Sequence, residues 1–453
     1  MRSVIRAVAV AIALLLAACG ADLPVETPTH APSTAPAPSA VTPAPTAGAV
    51  EAAPGSDSQI YPPNPGAIVV AIDAGHGGCL DWGVPDPSER GVQLAEKTLT
   101  LGIAEALRDL LEADGVGVVM IRDADEALAG DDYPPLGCEG APFRDVNGDG
   151  MSGFGNDDLP EATRTRDELQ ARLDLANLAR ADALVSIHIN SPFDAGQPVE
   201  IAFSETFYTD ETPWGVDATA RLAQGIESGV VARLGDIADY DRGDRGTTAH
   251  NFYLVAPPLV EETEERPNRW AQPTRGGLMP VVLSEVGSIT LRAEHDLLAS
   301  DAGQSAVAAG LFDGLAAFFE DRSLAARIGL ADEGPSAPSE VPGDGPPFWP
   351  HVATDGPMRL TLTNNGTQVW PSDVELVAGW GETEQPYLAF PPETLEALDV
   401  TIPPLAPGES VTVEATLPAA PEGRSVAWIS LREGSELFSD LGSPALQVSS
   451  QAP

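Results

Sequence analysis

The sequence predicts an α/β domain, in which a mixed sheet is flanked by helices, followed by a small all-β sandwich domain. Between residues 66 and 322, short apolar runs alternate with stretches in which apolar residues recur at helical spacing. From residue 347 to 450, apolar and polar residues instead alternate in short runs that are separated by Pro, Gly and Asn. The Pro-, Gly-, Ser- and Asp-rich segment 323–346 is predicted to link the two domains.

Each element is predicted from its own pattern. A buried strand begins at Ala67 and gives way to a glycine-rich turn at Asp73. A helix is predicted over 97–113, because its apolar residues share one face, and Gly115 ends it. The other predictions in the first domain are strand 116–121, helix 169–181, strands 183–190 and 200–208, a largely helical segment 212–234, strands 251–255 and 281–287, and helix 301–321. In the second domain, strands are predicted at 360–362, 374–377, 411–413 and 426–431.

Length and charge bound the class of protein. The chain has 453 residues and 43% hydrophobic content, which gives room for two or three globular domains. Its 68 acidic residues outnumber 24 basic ones, for a net charge of −44. Nucleic acid is not expected as a partner, because phosphate binding requires clustered cations. Solubility of a secreted protein is the simplest explanation of this charge.

Residues 1–19 read as a signal segment. Arg2 and Arg6 precede an apolar run that is too short for a comfortable transmembrane helix, and small residues lead directly into Cys19. This segment resembles a bacterial lipoprotein signal peptide with its lipobox. The resemblance implies cleavage before Cys19, a lipid on its sulfur, and a mature protein anchored outside the cytoplasmic membrane and facing the cell wall. An ordinary secretory signal is the alternative, and it predicts the same compartment without the anchor.

Residues 20–65 follow as a predicted disordered tether. They consist almost entirely of Pro, Ala, Thr, Ser and Glu, from which no core can be built. A Pro-rich segment of this length extends over a distance on the order of 100 Å. That reach suits a protein that acts on the wall from a membrane anchor.

Four residues are candidates for chemistry. His76 and His188 each stand near the end of a predicted strand, Glu96 at the start of a helix, and Glu285 at the end of another strand. Open α/β sheets place their chemistry beyond the carboxyl ends of strands. Two histidines and one glutamate form a catalytic zinc set that leaves one position for water, and Glu285 is then suited to proton transfer. The structural alternatives are a strand-capping histidine, a first-turn acid favoured by the helix dipole, and a salt-bridged glutamate.

Together these motifs resemble the zinc-dependent N-acetylmuramoyl-L-alanine amidases of the type 3 family. The resemblance covers roughly residues 66–322 and rests on four motifs in the family's order. It implies zinc ligation by three residues, a catalytic acid/base, and hydrolysis of the amide between the lactyl group of muramic acid and L-alanine of the peptidoglycan stem peptide. The motifs are IDAGHGG with the ligand His76, Glu96-Lys97 with the ligand Glu96, residues 172–177 leading to SIHIN with the ligand His188, and VLSEVG with the acid/base Glu285.

Two other functions remain open on the sequence. The ligand set defines metal-assisted amide hydrolysis better than it defines which amide is cut, so a zinc peptidase acting on stem peptides is one alternative. The other is a non-catalytic wall-binding scaffold, with the C-terminal module as its adhesive part. In that module, the segments 364–371 and 405–409 resemble turns of immunoglobulin-like domains, which implies a spacer or binding role.

An insertion at 123–163 interrupts the alternation of the first domain. It contains Asp145, Asn147 and Asp149 at the spacing of the first half of a calcium-binding loop. The twelfth position is Asn156 in place of the usual glutamate, so a solvated acidic loop is the alternative to calcium. The insertion is also longer than is usual in the family, and could line or cover the substrate groove.

The cysteines predict one further link. With Cys19 lipidated, Cys79 and Cys138 remain as a pair in an oxidising compartment, and a disulfide between them would tie the insertion to the loop after His76. In the chain-entropy description, closing such a loop stabilises by about 4 kcal/mol. Metal ligation by Cys79 is the alternative.

Overall fold

The computed structural model describes residues 68–78, 81–84, 91–130, 144–146, 166–194, 197–212, 214–257, 275–331, 356–381, 392, 394–424 and 426–449. Several predictions of the sequence fall outside these residues: the signal peptide 1–19 with Cys19, the tether 20–65, the pair Cys79 and Cys138, and two of the calcium-loop residues, Asn147 and Asp149. The lipid, the disulfide and the calcium loop therefore stay predictions. Asp145 lies within the described part.

The first domain contains all five α-helices of the described chain. A 3-10 turn at Val92–Leu94 precedes the first of them. In chain order its elements are β1 (Val69–Ala74), α1 (Glu96–Ala113), β2 (Gly117–Met120), α2 (Arg166–Leu178), β3 (Ala183–Asn190), the short pair β4 (Phe193–Asp194) and β5 (Gln197–Pro198), β6 (Phe203–Tyr208), α3 (Val216–Ile237), β7 (Gly243–Ala249), β8 (Val281–Ser288), α4 (Arg292–Leu298) and α5 (Asp301–Glu320).

A six-stranded mixed sheet organises this domain, with strand order β2-β1-β3-β8-β6-β7. The strands β2, β1, β3 and β8 run parallel, β6 is antiparallel to β8, and β7 is parallel to β6. The predicted mixed sheet is therefore confirmed. Because β1 and β3 are neighbours, the turns at their carboxyl ends lie side by side, and β8 brings its residues next to those of β3.

Helices α1 and α3 cover one face of the sheet, and α5 packs on both of them. The apolar face of α1 is buried, as its spacing predicts, and includes Leu99, Ile103 and Leu107. Among the described helices, α5 is the one that is long and apolar enough to cross a membrane, but it packs on α1 and α3 as a buried core helix. Glycines on α3 and α5 face each other where these two helices cross.

The structure differs from the predictions of the sequence in several elements. Residues 251–255 form turns and not the predicted strand, and the edge strand is Gly243–Ala249, which the sequence did not predict because it is polar and mostly exposed. The short helix Arg292–Leu298 was also not predicted. The predicted linker 323–346 begins with a strand, since Ala326–Leu330 pairs with the sheet of the second domain.

The second domain consists of two antiparallel sheets. Its strands are β9 (Ala326–Leu330), β10 (Met358–Asn364), β11 (Val374–Trp380), β12 (Glu396–Ala397), β13 (Ser410–Ala415), β14 (Val426–Glu433), β15 (Glu436–Leu437) and β16 (Leu446–Ser449). One sheet has the order β13-β10-β9, and the other has β12-β11-β14-β15 with β16 paired to β14. The two sheets share an apolar core that contains Trp370 and Phe438.

The two domains are in contact through a buried polar cluster and an aromatic pair. The carboxylate of Asp182, which precedes β3, accepts hydrogen bonds from the backbone amide of Val69 (2.9 Å) and from Asn365 Nδ2 of the second domain (2.6 Å). The Arg322 guanidinium lies 3.4 Å from the same carboxylate. The rings of Trp214 and Trp428 also meet across the interface, with 5.3 Å between their centroids and an angle of 52° between their planes. Both sides therefore bury polar and aromatic groups against each other.

Candidate active site and metal centre

His76 sits in a sharp turn directly after β1. Its backbone has a φ of 63°, a left-handed conformation that is costly for a residue other than glycine. Arg172 from α2 holds this turn, because its guanidinium donates to the backbone oxygens of Ala74 (2.9 Å) and His76 (2.7 Å) and forms an ion pair with Asp73 (2.6 Å). The ring Nδ1 is hydrogen-bonded to Asp81 Oδ1 at 2.7 Å. The ring Nε2 is thereby aimed at Glu96.

Glu96 is the first residue of α1, but its carboxylate does more than stabilise the helix start. Oε2 accepts a hydrogen bond from the amide of Val84 (2.8 Å), and Oε1 accepts one from the amide of Ile189 (2.9 Å). Oε1 also lies 3.2 Å from Nε2 of His76 and 3.3 Å from Nδ1 of His188. The buried carboxylate is therefore fixed between the two imidazoles.

His188 comes from β3, the neighbour of β1 in the sheet. Its ring stands edge-on to that of His76, with 4.7 Å between the ring centroids. One ligand atom from each of His76, Glu96 and His188 lies within 4.8 Å of the others, and this is the one such group found among the described residues. The structure thus brings together the three ligands that the sequence predicts, in a set of two nitrogens and one oxygen that suits a metal ion.

Two glycines make room for this cluster. A Cβ on Gly75 would lie 2.6 Å from two atoms of the His188 ring. A Cβ on Gly83 would lie 2.5 Å from Cδ2 of His76, and Gly83 has a φ of 63°. Larger residues at these two positions would displace the histidine rings, so both positions require glycine.

The charges of the cluster favour a cation at its centre. Burial alone would raise the pKa of Glu96, but the two adjacent histidines outweigh it and lower that pKa well below its usual range. Burial would also raise the pKa of Asp81, and the adjoining His76 instead lowers it to about 2. Burial would lower the pKa of His76, yet Asp81 and Glu96 raise it well above 6.5. Positive charge is therefore stabilised where the carboxylates and imidazoles converge.

Glu285 lies on β8 directly beside His188 of β3, and opposite Glu205 of β6. Its atom Oε2 is buried and has no hydrogen-bond partner among the described residues. Burial, followed by the nearby charge of Glu96, raises the pKa of Glu285 well above 4.5. A buried carboxyl group with a raised pKa next to a metal-ligand cluster is suited to take up and release a proton.

The sequence did not identify every residue that shapes this site. Asp81, which orients His76, has no pattern of its own in a loop that is rich in acids. Arg172 falls within a motif of the resemblance, but its bracing of the turn depends on a contact between residues far apart in sequence. Residues on all sides of α2 are buried, including charged ones. The many charged residues of this helix give no indication of that burial in the sequence, so the contacts of Arg172 could not be predicted.

Comparison with known proteins identifies the family. The profile of the family described as N-acetylmuramoyl-L-alanine amidase (Amidase_3) matches residues 70–317. The germination-specific N-acetylmuramoyl-L-alanine amidase of Bacillus subtilis is 24% identical over 264 residues, which are 56% of this chain and 81% of that protein. The uncharacterized protein YqiI of the same organism is 25% identical over 251 residues, or 55% of this chain and 84% of that protein. Among solved structures, the N-acetylmuramoyl-L-alanine amidase AmiC2 of Nostoc punctiforme is 25% identical to this chain. The match covers 55% of this chain and 95% of the AmiC2 chain, with a TM-score of 0.36.

The family profile spans more than half of the chain and includes all four residues of the site, His76, Glu96, His188 and Glu285. Both the residues and their convergence at one edge of the sheet agree with this match. The chain therefore belongs to the N-acetylmuramoyl-L-alanine amidase family and is a hydrolase that acts on peptidoglycan.

Proposed function

We propose that the chain binds zinc through His76, Glu96 and His188, and that Glu285 is the acid/base of amide hydrolysis. The observation that carries this proposal is the convergence of the three ligand atoms within 4.8 Å, with Glu285 on the adjacent strand position beside His188. The bond to be cut joins the lactyl group of muramic acid to L-alanine of the stem peptide.

The residues fit zinc in number and in chemical type. Catalytic zinc sites have three protein ligands of imidazole and carboxylate type and keep one position open. The hydrogen bond from His76 Nδ1 to Asp81 supplies the carboxylate partner that ligating histidines usually have, and it leaves Nε2 for the metal. The two amides that donate to Glu96 hold the third ligand in place.

In this proposal, zinc and Glu285 have different roles in hydrolysis. Zinc, when bound, supplies a Lewis acid that polarises the carbonyl and makes water a better nucleophile. Glu285 accepts the proton of the attacking water at its carboxylate and then donates it to the nitrogen of L-alanine as the amide bond breaks. The unpartnered Oε2 of Glu285 is free for both transfers, and burial raises the pKa of Glu285 well above 4.5, which favours the protonated form that can act as the acid.

Mass spectrometry of digested peptidoglycan tests the reaction. We expect free stem peptides that begin with L-alanine. Shortened muropeptides would instead indicate a stem-peptide peptidase, and a digest without products would indicate the scaffold function. The variant Glu285→Gln should keep its zinc, measured by elemental analysis, and lose turnover by a factor of about 10²–10⁴.

Two further variants complete the test of the site. His188→Ala should lose both zinc and activity, because two ligands do not hold the metal in a catalytic geometry. Glu112→Gln, an exposed position on α1, should match the wild type in both measurements. Full activity in Glu285→Gln would remove Glu285 from the mechanism.

We also propose that the mature protein is anchored by a lipid on Cys19 and reaches the wall through the tether 20–65. The support is the lipobox-like end of the apolar run and the Pro-rich composition that follows it. Metabolic labelling with a radioactive fatty acid should mark the wild type and leave Cys19→Ser unlabelled. Equal labelling of both would contradict the anchor. The C-terminal sheets are proposed as an immunoglobulin-like module, supported by two antiparallel sheets around one core.

A further inference from the structure

A β-bulge lies next to Glu285, at the edge of the sheet. In the pairing of β6 with β7, Ser204 is opposite Asp244 and Thr206 is opposite Thr247, so the single residue Glu205 faces two residues of β7. Those two are Arg245 and Gly246, and Gly246 takes a φ of 70°. Bulges of this kind redirect side chains and are common beside active sites. Here the bulge directs Arg245 toward the side of the sheet that carries Glu205 and Glu285.

The contacts of Arg245 leave its guanidinium accessible. The side chain is 45% exposed, and the nearest carboxylate oxygen, Oε2 of Glu205, is 3.6 Å away. The guanidinium carbon lies 3.5 Å from the centroid of the Phe203 ring, a cation–π contact that holds the group against the ring. Thr248 donates a hydrogen bond to the other oxygen of Glu205 (2.8 Å) and holds that carboxylate in position. Glu205 is in turn directly opposite Glu285, so one side chain separates Arg245 from the proposed acid/base.

Two other cations near the site, Arg172 and Lys97, are already bonded to groups of the protein. The guanidinium of Arg172 is buried and bonded to Asp73, Glu168 and two backbone oxygens. The ammonium of Lys97 is also buried and donates to the backbone oxygen of Gly78 and to Asp125. Arg245 differs from both in being half-exposed, and its contacts are the Phe203 ring and a long ion pair with Glu205, which contributes little on a surface.

The acidity of the chain disfavours an anionic substrate unless a cation binds it. Glu205 lines this edge of the site, and the chain as a whole carries a net charge of −44. Stem peptides have free carboxylates on the residues that follow L-alanine, and these groups would be repelled. A guanidinium binds a carboxylate through two parallel hydrogen bonds, which gives both energy and a fixed geometry.

The distances agree with a peptide that crosses the sheet edge from β8 toward β7. Neighbouring strands are about 4.8 Å apart, so β7 lies about 10 Å from β8. An extended peptide covers about 3.3–3.6 Å per residue, and its second or third residue therefore reaches β7 when the first lies at Glu285.

We propose that Arg245 forms a carboxylate-binding subsite that selects stem peptides with a free carboxylate on the second or third residue. The proposal rests on the amidase function argued above, because it places L-alanine beside Glu285.

Matched substrates and variants test this subsite. Three soluble muropeptides are compared: one with all stem carboxylates free, one amidated at the second residue, and one amidated at the third. For the wild type, kcat/KM should fall about 10- to 100-fold for the substrate in which the recognised carboxylate is amidated, and this identifies the residue bound. In Arg245→Gln that difference should disappear, chiefly through a higher KM for the free acid. Arg245→Lys should keep part of it.

A control and a binding measurement make the outcomes decisive. Arg108→Gln removes an arginine from the middle of α1 that pairs with its neighbour Asp109, and it should behave as the wild type. Calorimetric binding of the same three muropeptides to Glu285→Gln measures discrimination without turnover. Equal binding of all three, or discrimination that survives in Glu285→Gln combined with Arg245→Gln, overturns the subsite. A wild type that releases no stem peptide but still discriminates in binding refutes the amidase mechanism and leaves the subsite supported.

Discussion

At the scale of single residues, Glu96 shows how one carboxylate joins the fold to the site. It begins α1, accepts amides from the loop at Val84 and from β3 at Ile189, and faces both imidazoles. The position of Glu96 at the start of α1 was predicted from the sequence. The hydrogen bonds that its carboxylate accepts were not predicted, because the two amide donors come from segments distant in sequence. The dipole of α1 is therefore a secondary reason for an acid at this position.

The partner of His76 provides a test at the same scale. Asp81→Ala removes the carboxylate that fixes the His76 ring, so Nε2 is less well oriented. We expect the affinity for zinc to fall about 10- to 100-fold, as measured by competition with a chromophoric chelator. Asp236→Ala, at an exposed position near the end of α3, is the matched control. Unchanged zinc affinity in Asp81→Ala would show that the ring is held by its turn alone.

Glu227 on α3 makes the stability of the fold depend on pH. Burial, together with the charges of Asp244 and Glu205, raises the pKa of Glu227 to about 8, although Thr206 donates a hydrogen bond to it. The folded chain therefore binds more protons than the unfolded chain between pH about 4.5 and about 8, and stability falls as the pH rises through this window.

Glu227 should account for a decrease in the free energy of unfolding on the order of 1–3 kcal/mol over this pH range, and the variant Glu227→Gln should abolish that decrease. Urea unfolding at pH 5 and pH 8 measures it. The loss of stability between the two pH values should be smaller in Glu227→Gln than in the wild type, whereas Glu112→Gln should lose as much as the wild type. An equal loss in all three proteins would assign the pH dependence to other groups.

At the scale of elements, the crossing of α3 and α5 depends on the absence of side chains. Gly225 and Gly229 of α3 face Gly314 and Gly310 of α5, and a Cβ on Gly225 would lie 2.8 Å from the backbone oxygen of Gly314. A Cβ on Gly229 would be even closer to the backbone of Gly310. The two backbones are thus in direct contact, and neither can yield by rotating a side chain.

Substitutions in α3 separate this contact from helix propensity. Gly229→Ala should lower the free energy of unfolding by about 1–3 kcal/mol or more, because the helices must move apart. Gly235→Ala lies on the same helix with nothing within 4 Å, and it should instead raise stability by about 0.5–1 kcal/mol. Chemical denaturation measures both. A gain in stability for Gly229→Ala would mean that the helix crossing is loose.

The elements differ in how well the sequence predicts them. Strands β1, β3 and β8 are buried on both faces, so each is a continuous apolar run, and the residues His76, His188 and Glu285 follow from where those runs end. The edge strand β7 reads GDRGTTA and has no apolar face, because it pairs on one side only and is mostly exposed. The bulge that directs Arg245 depends on the pairing of β6 with β7, which no local pattern encodes.

At the scale of the whole molecule, Asp182 connects three parts of the chain. It binds the amide at the start of β1, the guanidinium of Arg322 after α5, and Asn365 of the second domain. Both Asp182 and Arg322 have side chains that are only 1% exposed. The removal of one member would leave the others buried without their charge or hydrogen-bond partner.

Calorimetry of Asp182→Ala tests whether the domains unfold together. The wild type should unfold in one transition, and Asp182→Ala should lose about 3–5 kcal/mol and show two transitions as the second domain separates. Asp373→Ala, at an exposed position of the second domain, should be indistinguishable from the wild type. A single unshifted transition in Asp182→Ala would show that the apolar part of the interface suffices.

The aromatic contact between Trp214 and Trp428 has a consequence for how freely the two sheet systems can reorient. Trp214 lies just before α3, while Trp428 lies on β14, so this contact and the hydrogen bond from Asn365 to Asp182 both oppose rotation of the C-terminal sheets relative to the six-stranded sheet. We therefore expect the edge of the sheet that carries His76, His188 and Glu285 to keep one orientation relative to the C-terminal sheets.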